Sequence, residues 1–327
     1  MPDSIEINLY CDEIKESTIK HSLVKNEKWI YLGLLIVPTE IENKLINNLL
    51  SSRCIKTDDW RNCEKNCSYH KKNNKEVHYQ KLDTLDRYFI AERWIKEFLL
   101  SDLKKEKPLT YFYILGINLS NLDYTSFGNK SGYERFTAIY NRFFRMGIKK
   151  SIKSYFSSYS EVIINEIFHD NSGLIDHELF PWHSIYKLKQ DEKIMVNKDE
   201  IVFLDSNHKN SEDEKSNLIQ FIDLILGLTF NSLHFNSDSS KITEDDFTKK
   251  NNLTLFFNKE ILQRLIHSPG NINSKYNYVN RLDIDFFPKH DISNLSKFER
   301  KVSSYDSFYK GRDFRIKRLI RPPLFNY

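Results

Sequence analysis

Ile5-Glu-Ile-Asn-Leu-Tyr-Cys-Asp-Glu13, answered by Trp29-Ile-Tyr-Leu-Gly-Leu-Leu-Ile-Val-Pro38, is the pair of segments on which the fold turns. In the first, Ile5, Ile7, Leu9 and Cys11 alternate with polar residues, the two-residue period of a strand, and the strand runs into Asp12-Glu13. The second is apolar throughout, as in a strand covered on both faces, and Pro38 ends it. Thr39 is expected to cap the helix that follows, with Ile41, Leu45, Ile46 and Leu49 on one face. Further along, helices are expected over 85–100, 132–156 and 216–230, and strands over 111–119, 161–168 and 201–204. Strands mixed with helices, opening on a hairpin-connected pair, predict an α/β fold with a mixed sheet. No internal repeat is present. Residues 1–233 form the expected principal domain, 51–75 a Cys-rich insertion and 234–251 a polar linker. Residues 252–327 form an expected C-terminal extension, with one helix over 253–266 and a turn-rich remainder.

Composition narrows the function classes. The 327 residues carry 49 Lys+Arg against 45 Asp+Glu, a net +4, with 40% hydrophobic residues. Such a chain can bury a core, which excludes a wholly disordered protein. None of the 9 glycines fits G-x-G-x-x-G or G-x-x-x-x-G-K, which argues against phosphate-cradling loops. The Lys excess (35 Lys to 14 Arg) resembles the bias of an A/T-rich genome and is no nucleic-acid signal by itself. The first six residues lack a basic and then apolar leader, and the longest uncharged apolar run, 29–38, is half of what a bilayer needs. Four cysteines are too few for a disulfide framework. A soluble cytoplasmic protein with no membrane partner is the expectation.

The most informative helix is Ser216-Asn-Leu-Ile-Gln-Phe-Ile-Asp-Leu-Ile-Leu-Gly227. Its apolar residues cover most of the circumference, so it should be buried. Ser216, Gln220, Asp223 and Gly227 follow 4, 3, 4 spacing and share one stripe. A mid-helix carboxylate there costs several kcal/mol, about 3–5 if left unpaired, unless a partner or a metal satisfies it. A core Arg or backbone donors would serve as well as a metal. Asp12 and Asp170 stand at the ends of expected strands, and Glu76 where the polar segment gives way to structure. Three or four carboxylates meeting at one point require a cation, and oxygen ligands suit Mg²⁺ or Mn²⁺.

Taken in order, Tyr10-x-Asp12-Glu13, Glu76-x-His78, Asp170, Phe203-Leu-Asp205-Ser206 and Gln220-x-x-Asp223-x-x-x-Gly227 resemble the bacterial family catalogued as domain of unknown function 3800. The likeness covers residues 5–230, with Ile14 in place of the usual Ser after Asp-Glu. It implies an RNase H-like five-stranded mixed sheet flanked by helices, and nuclease activity in mobile-element or phage-defence settings. It further implies that Asp12, Glu76, Asp170 and Asp223 bind two Mg²⁺ ions, with Glu166 in the same strand as the alternative to Asp170. His78 would carry protons to the leaving group or fix Glu76. Glu13, Asp205, Ser206 and Gln220 would support the ligands from behind.

Two further segments carry chemistry. Cys54, Cys63, Cys67 and His70, spaced x8, x3, x2, could complete a tetrahedral Zn²⁺ site within a polar loop that cannot build its own core. Reduced surface cysteines are the plain alternative. Residues 296–327 carry +6, leaving −2 on the rest. There Lys310, Arg312, Arg315, Lys317, Arg318 and Arg321 are interleaved with aromatics, a pattern suited to DNA or RNA phosphates and bases. A solvated basic face is the plain reading of it. The competing function is a non-catalytic module that binds nucleic acid, a protein partner or a second copy of itself.

Overall fold

The computed structural model describes residues 4–18, 27–54, 63, 67, 75–82, 84–96, 110–127, 132–171, 180–206, 214–234, 249–257 and 282–287. His70, residues 235–248 of the expected linker and the whole of 288–327, including Lys310 to Arg321, lie outside them.

Strands β1 (Ser4–Thr18) and β2 (Lys28–Pro38) pair antiparallel, with Asp12 opposite Gly33. β3 (Tyr111–Asn118) lies antiparallel on the far edge of β2. β4 (Glu161–Asp170) runs parallel to β1 on its other edge, with a register shift after Ile7. Two short strands then share the remaining edge of β4: β5 (Ile194–Val196) beside Val162–Ile164, and β6 (Val202–Leu204) beside Phe168–Asp170. The last strand, β7 (Leu282–Phe287), pairs parallel to β3. The result is a mixed seven-stranded sheet in the order β5-β4-β1-β2-β3-β7, with β6 also on β4.

Alternation along the strands splits the core into two layers. Tyr10, Trp29, Tyr31, Phe112 and Phe168 face helices α1 (Thr39–Ser51), α2 (Leu85–Arg93), α5 (Ser216–His234) and α6 (Lys249–Phe257). Ile7, Leu9, Cys11, Leu34 and Tyr113 face α3 (Gly132–Tyr155) and α4 (Phe180–Leu188). Gly33 sets how closely α5 lies, because a Cβ there would stand 3.1 Å from Ile222.

Several expectations change. Pro38, not Thr39, is the residue before the first turn of α1, and no side chain caps it; Thr39 is already helical. The sheet has two strands more than the expected five. Within the expected C-terminal extension, β7 pairs with β3 in the sheet and α6 packs on α5. Leu282-Asp-Ile-Asp-Phe-Phe287 has strand alternation, but a turn-rich, charged neighbourhood masks it in the sequence. Among the described residues, no helix is long and apolar enough to cross a membrane.

Candidate active site

Asp12 and Asp170 emerge on the α5 side at neighbouring positions, just past the last β1–β4 ladder pair, Cys11 and His169. Leu204 ends β6 beside Asp170, so Asp205 and Ser206 follow at the same edge. Carboxyl ends of parallel strands are where open α/β sheets hold ligands. The α5 stripe faces this point. Asp12 is 8% exposed and within hydrogen-bond reach of Asp223. Burial, then the charges of Asp223, Glu13 and Asp170, hold the Asp12 carboxyl well above the ordinary range. Asp223 is pushed up by burial as well, with His78 and the Tyr79 N–H working in the opposite direction. Burial also raises Asp170, against a hydrogen bond from Ser206. Asp170 Oδ1 is buried with no hydrogen-bond partner among the described residues. Glu166, the alternative, is engaged elsewhere: despite its partial burial, Lys198 and Lys215 draw it below the ordinary range.

Residues 75–81 form an arm along α5 from Gln220 to Gly227. His78 Nδ1 accepts the Gln80 N–H at 3.1 Å, leaving Nε2 to donate to Asp223 Oδ1 at 3.3 Å. The Tyr79 N–H donates to Asp223 Oδ2 at 2.8 Å. His78 therefore contacts Asp223 rather than Glu76. Glu76, 9% exposed, accepts from Ser206 Oγ at 3.2 Å and pairs with Lys81. Of the four expected metal ligands it is the one already neutralised by a cation. Gln220 holds the arm: its Oε1 accepts the Val77 N–H at 2.8 Å and its Nε2 donates to Ser206 O at 2.6 Å. Asp205 is exposed.

Behind the sheet lies a network absent from the sequence reading. Glu13 and His169 are chain neighbours of Asp12 and Asp170, so they point to the α3 side. There His169 Nε2 stands 3.4 Å from Glu13 Oε2 and 2.6 Å from the Tyr140 hydroxyl, and Nδ1 is 2.8 Å from Asp170 O. Burial holds the His169 imidazole below its usual range, which disfavours its charged form. The His169-Asp170 pair was the available signal, but nothing in one dimension joins Tyr140 to it. The Glu13 side chain thus lies behind the candidate ligands, while its backbone N–H donates to Asp12 Oδ1 at 2.8 Å.

Cys54, Cys63 and Cys67 place their sulfurs within 4.8 Å of one another and could hold a metal such as zinc. Cys54 and Cys63 Sγ are 3.3 Å apart. Burial, then the two neighbouring thiols, push Cys63 up to about 12. Thiolates so crowded are stable only around a cation. Among the described residues this is the only group of three His, Cys, Asp or Glu side chains gathered so closely; the carboxylates are more widely spread. No family model, curated protein or solved structure matches this chain.

Proposed function

We propose that the chain is a metal-dependent phosphodiester hydrolase, a nuclease. The observation that carries this is the convergence of Asp12, Asp170 and Asp223, all raised toward neutrality, with Asp170 Oδ1 buried and without a hydrogen-bond partner among the described residues. An all-oxygen donor set of this kind fits a hard divalent cation, Mg²⁺ or Mn²⁺. Five strands in the order β3-β2-β1-β4-β5, with β2 antiparallel to its neighbours, support the RNase H-like sheet that the family resemblance implies. Asp12, Asp170 and Asp223 would hold the cation, with Glu76 reaching it on release from Lys81. When bound, the cation supplies Lewis-acid polarisation of a phosphodiester and a water of lowered pKa. His78 Nε2–H keeps Asp223 in place and would serve as a proton donor there. Gln220 and Ser206 fix Glu76 and the arm. Lys310, Arg312, Arg315, Lys317, Arg318 and Arg321 would supply affinity for DNA or RNA rather than chemistry. The three thiols fit Zn²⁺ in a structural role, His70 being the fourth ligand that the sequence offers.

The test is a cleavage panel of single-stranded, duplex and hybrid substrates with Mg²⁺, Mn²⁺ or EDTA. Metal-dependent cleavage should fall at least about 100-fold in Asp223→Asn, beyond the 10–100-fold cost of losing an outer partner. The same variant should unfold at a higher temperature than the parent in EDTA, because a buried repelling carboxylate is gone. Metal-insensitive binding without cleavage of any substrate would instead identify the non-catalytic module.

A further inference from the structure

Arg53 stands between α1 and the cysteine cluster, immediately before Cys54. Its side chain is buried, at 1% exposure, and the guanidinium lies 5.1 Å over the Trp94 ring. Each arm of the fork reaches a different part of the molecule. Nε donates to Asn217 Oδ1 at 2.7 Å, one terminal nitrogen donates to Lys75 O at 2.9 Å, and the other donates to Gln220 Oε1. Lys75 is the residue before Glu76, and Gln220 Oε1 is the same atom that receives the Val77 N–H. Gln220 lies one turn before Asp223 on the α5 stripe. At the other end, Arg93 holds the backbone of the cysteine side, donating to Ser52 O at 3.2 Å and to Cys54 O. One planar side chain therefore joins the first cysteine, the backbone entering Glu76 and the helix turn that precedes Asp223.

A guanidinium presents its donors in a fixed plane, so it transmits displacement where a flexible ammonium would absorb it. Its two side-chain acceptors, Asn217 and Gln220, are buried, and neither can be abandoned without leaving a polar group desolvated. We propose that Arg53 is a positioning residue through which metal occupancy of the Cys54–Cys63–Cys67 site sets the placement of Glu76 and His78, so that the thiolate centre regulates the carboxylate centre. This rests on both the zinc and the nuclease readings above. A cation held by the three sulfurs fixes Cys54. Cys54 fixes Arg53, and Arg53 fixes Lys75 O and Gln220 against α5. Loss of the cation frees the first member of that chain and loosens the arm, while the strands carrying Asp12 and Asp170 keep their sheet hydrogen bonds.

The experiment uses the full chain, with zinc bound or stripped by a mercurial and chelator that are then removed. Amide hydrogen exchange is read over 75–82 and over β2 and β3, and Mn²⁺ binding is titrated by electron paramagnetic resonance. Stripping should speed exchange at Val77 and Tyr79 by about 10-fold or more and weaken Mn²⁺ binding by about 10-fold, the usual scale for an outer-sphere partner. Exchange in β2 and β3 should not change. Arg53→Lys should reproduce both effects with zinc content unchanged, which a merely structural role would not do. If that variant does not fold, the stripping comparison alone decides. Zinc content far below one per chain, or exchange over 75–82 indifferent to stripping, would overturn the coupling. Exchange that responds in a protein that cleaves nothing would leave the coupling standing and remove the nuclease reading.

Discussion

Two carboxylates separated by one residue on a strand share a face, and under cover they repel. Asp283 and Asp285 do so on β7, against α3. Asp285 Oδ2 accepts from the Tyr113 hydroxyl at 2.7 Å and Lys150 Nζ at 3.2 Å, and Asp283 Oδ2 from Ser154 Oγ at 3.3 Å. Burial, then the charge of Asp285, push Asp283 up to about 7. The folded chain thus keeps a proton that the unfolded chain releases near its ordinary value of 3.8. This contribution to stability is complete below about pH 4 and is lost as pH rises through about 7. Asp12, Asp170 and Asp223 act in the same direction, so the comparison that isolates Asp283 is its own variant. Asp283→Asn should flatten part of the fall in urea stability between pH 4 and 8 and raise stability at pH 8. An unchanged pH slope would show that Asp283 titrates normally. At this scale the sequence singled out Asp12 and Asp223 by place, an expected strand end and a polar stripe, although β1 runs past Asp12 to Thr18 and only its pairing with β4 stops at Cys11. It could not show that Glu76 meets Lys81, since that pairing depends on how the arm turns.

Helix α5 is the element that assembles the site. Its stripe was legible because helical period is a one-dimensional signal. What the stripe faces was not, and Gly227 shows why. A Cβ at Gly227 would stand 2.3 Å from Cγ of Tyr79, whose hydroxyl is tied to Thr254 Oγ1 at 2.9 Å on α6. The ring cannot swing away without breaking that bond. Gly227→Ala should therefore cost about 1–3 kcal/mol, the usual range for overpacking, measured by urea unfolding. It should also release the Tyr79 amide, because ring and amide move together onto α5. Gly33→Ala meets Ile222 at 3.1 Å and Leu226 at 3.4 Å, both flexible side chains, and should cost less. Equal costs at the two positions would mean that the arm yields and that Tyr79 does not clamp it.

For the whole molecule, the C-terminal region contributes to the core as well as to charge. β7 buries Leu282, Ile284 and Phe286 at 3% exposure or less, the last edge-on to Trp29 and Tyr31. At about 1.5–3 kcal/mol for each buried side chain, their loss approaches the total stability of an ordinary domain, about 5–15 kcal/mol. Deleting 282–327 should leave a protein that does not fold cooperatively. Deleting 297–327 should keep thermal stability within a few degrees while weakening nucleic-acid binding and flattening its salt dependence. Equal unfolding temperatures for both truncations would show that β7 is dispensable. By itself, the sequence determined the α/β class, the neighbourhoods of five of the seven strands (β1 to β4 and β6), the polar stripe on α5 and the clustering of three cysteines. These follow from periodicity and spacing, which are local. Only the tertiary structure decided that β7 closes the sheet, that Glu13 and His169 lie behind the acids and that Arg53 ties the cysteines to Glu76. β7 on β3 and Arg53 on Gln220 join residues more than a hundred positions apart, Glu13 and His169 follow from which face of a strand a neighbour takes, and burial and hydrogen-bond satisfaction make those choices in three dimensions.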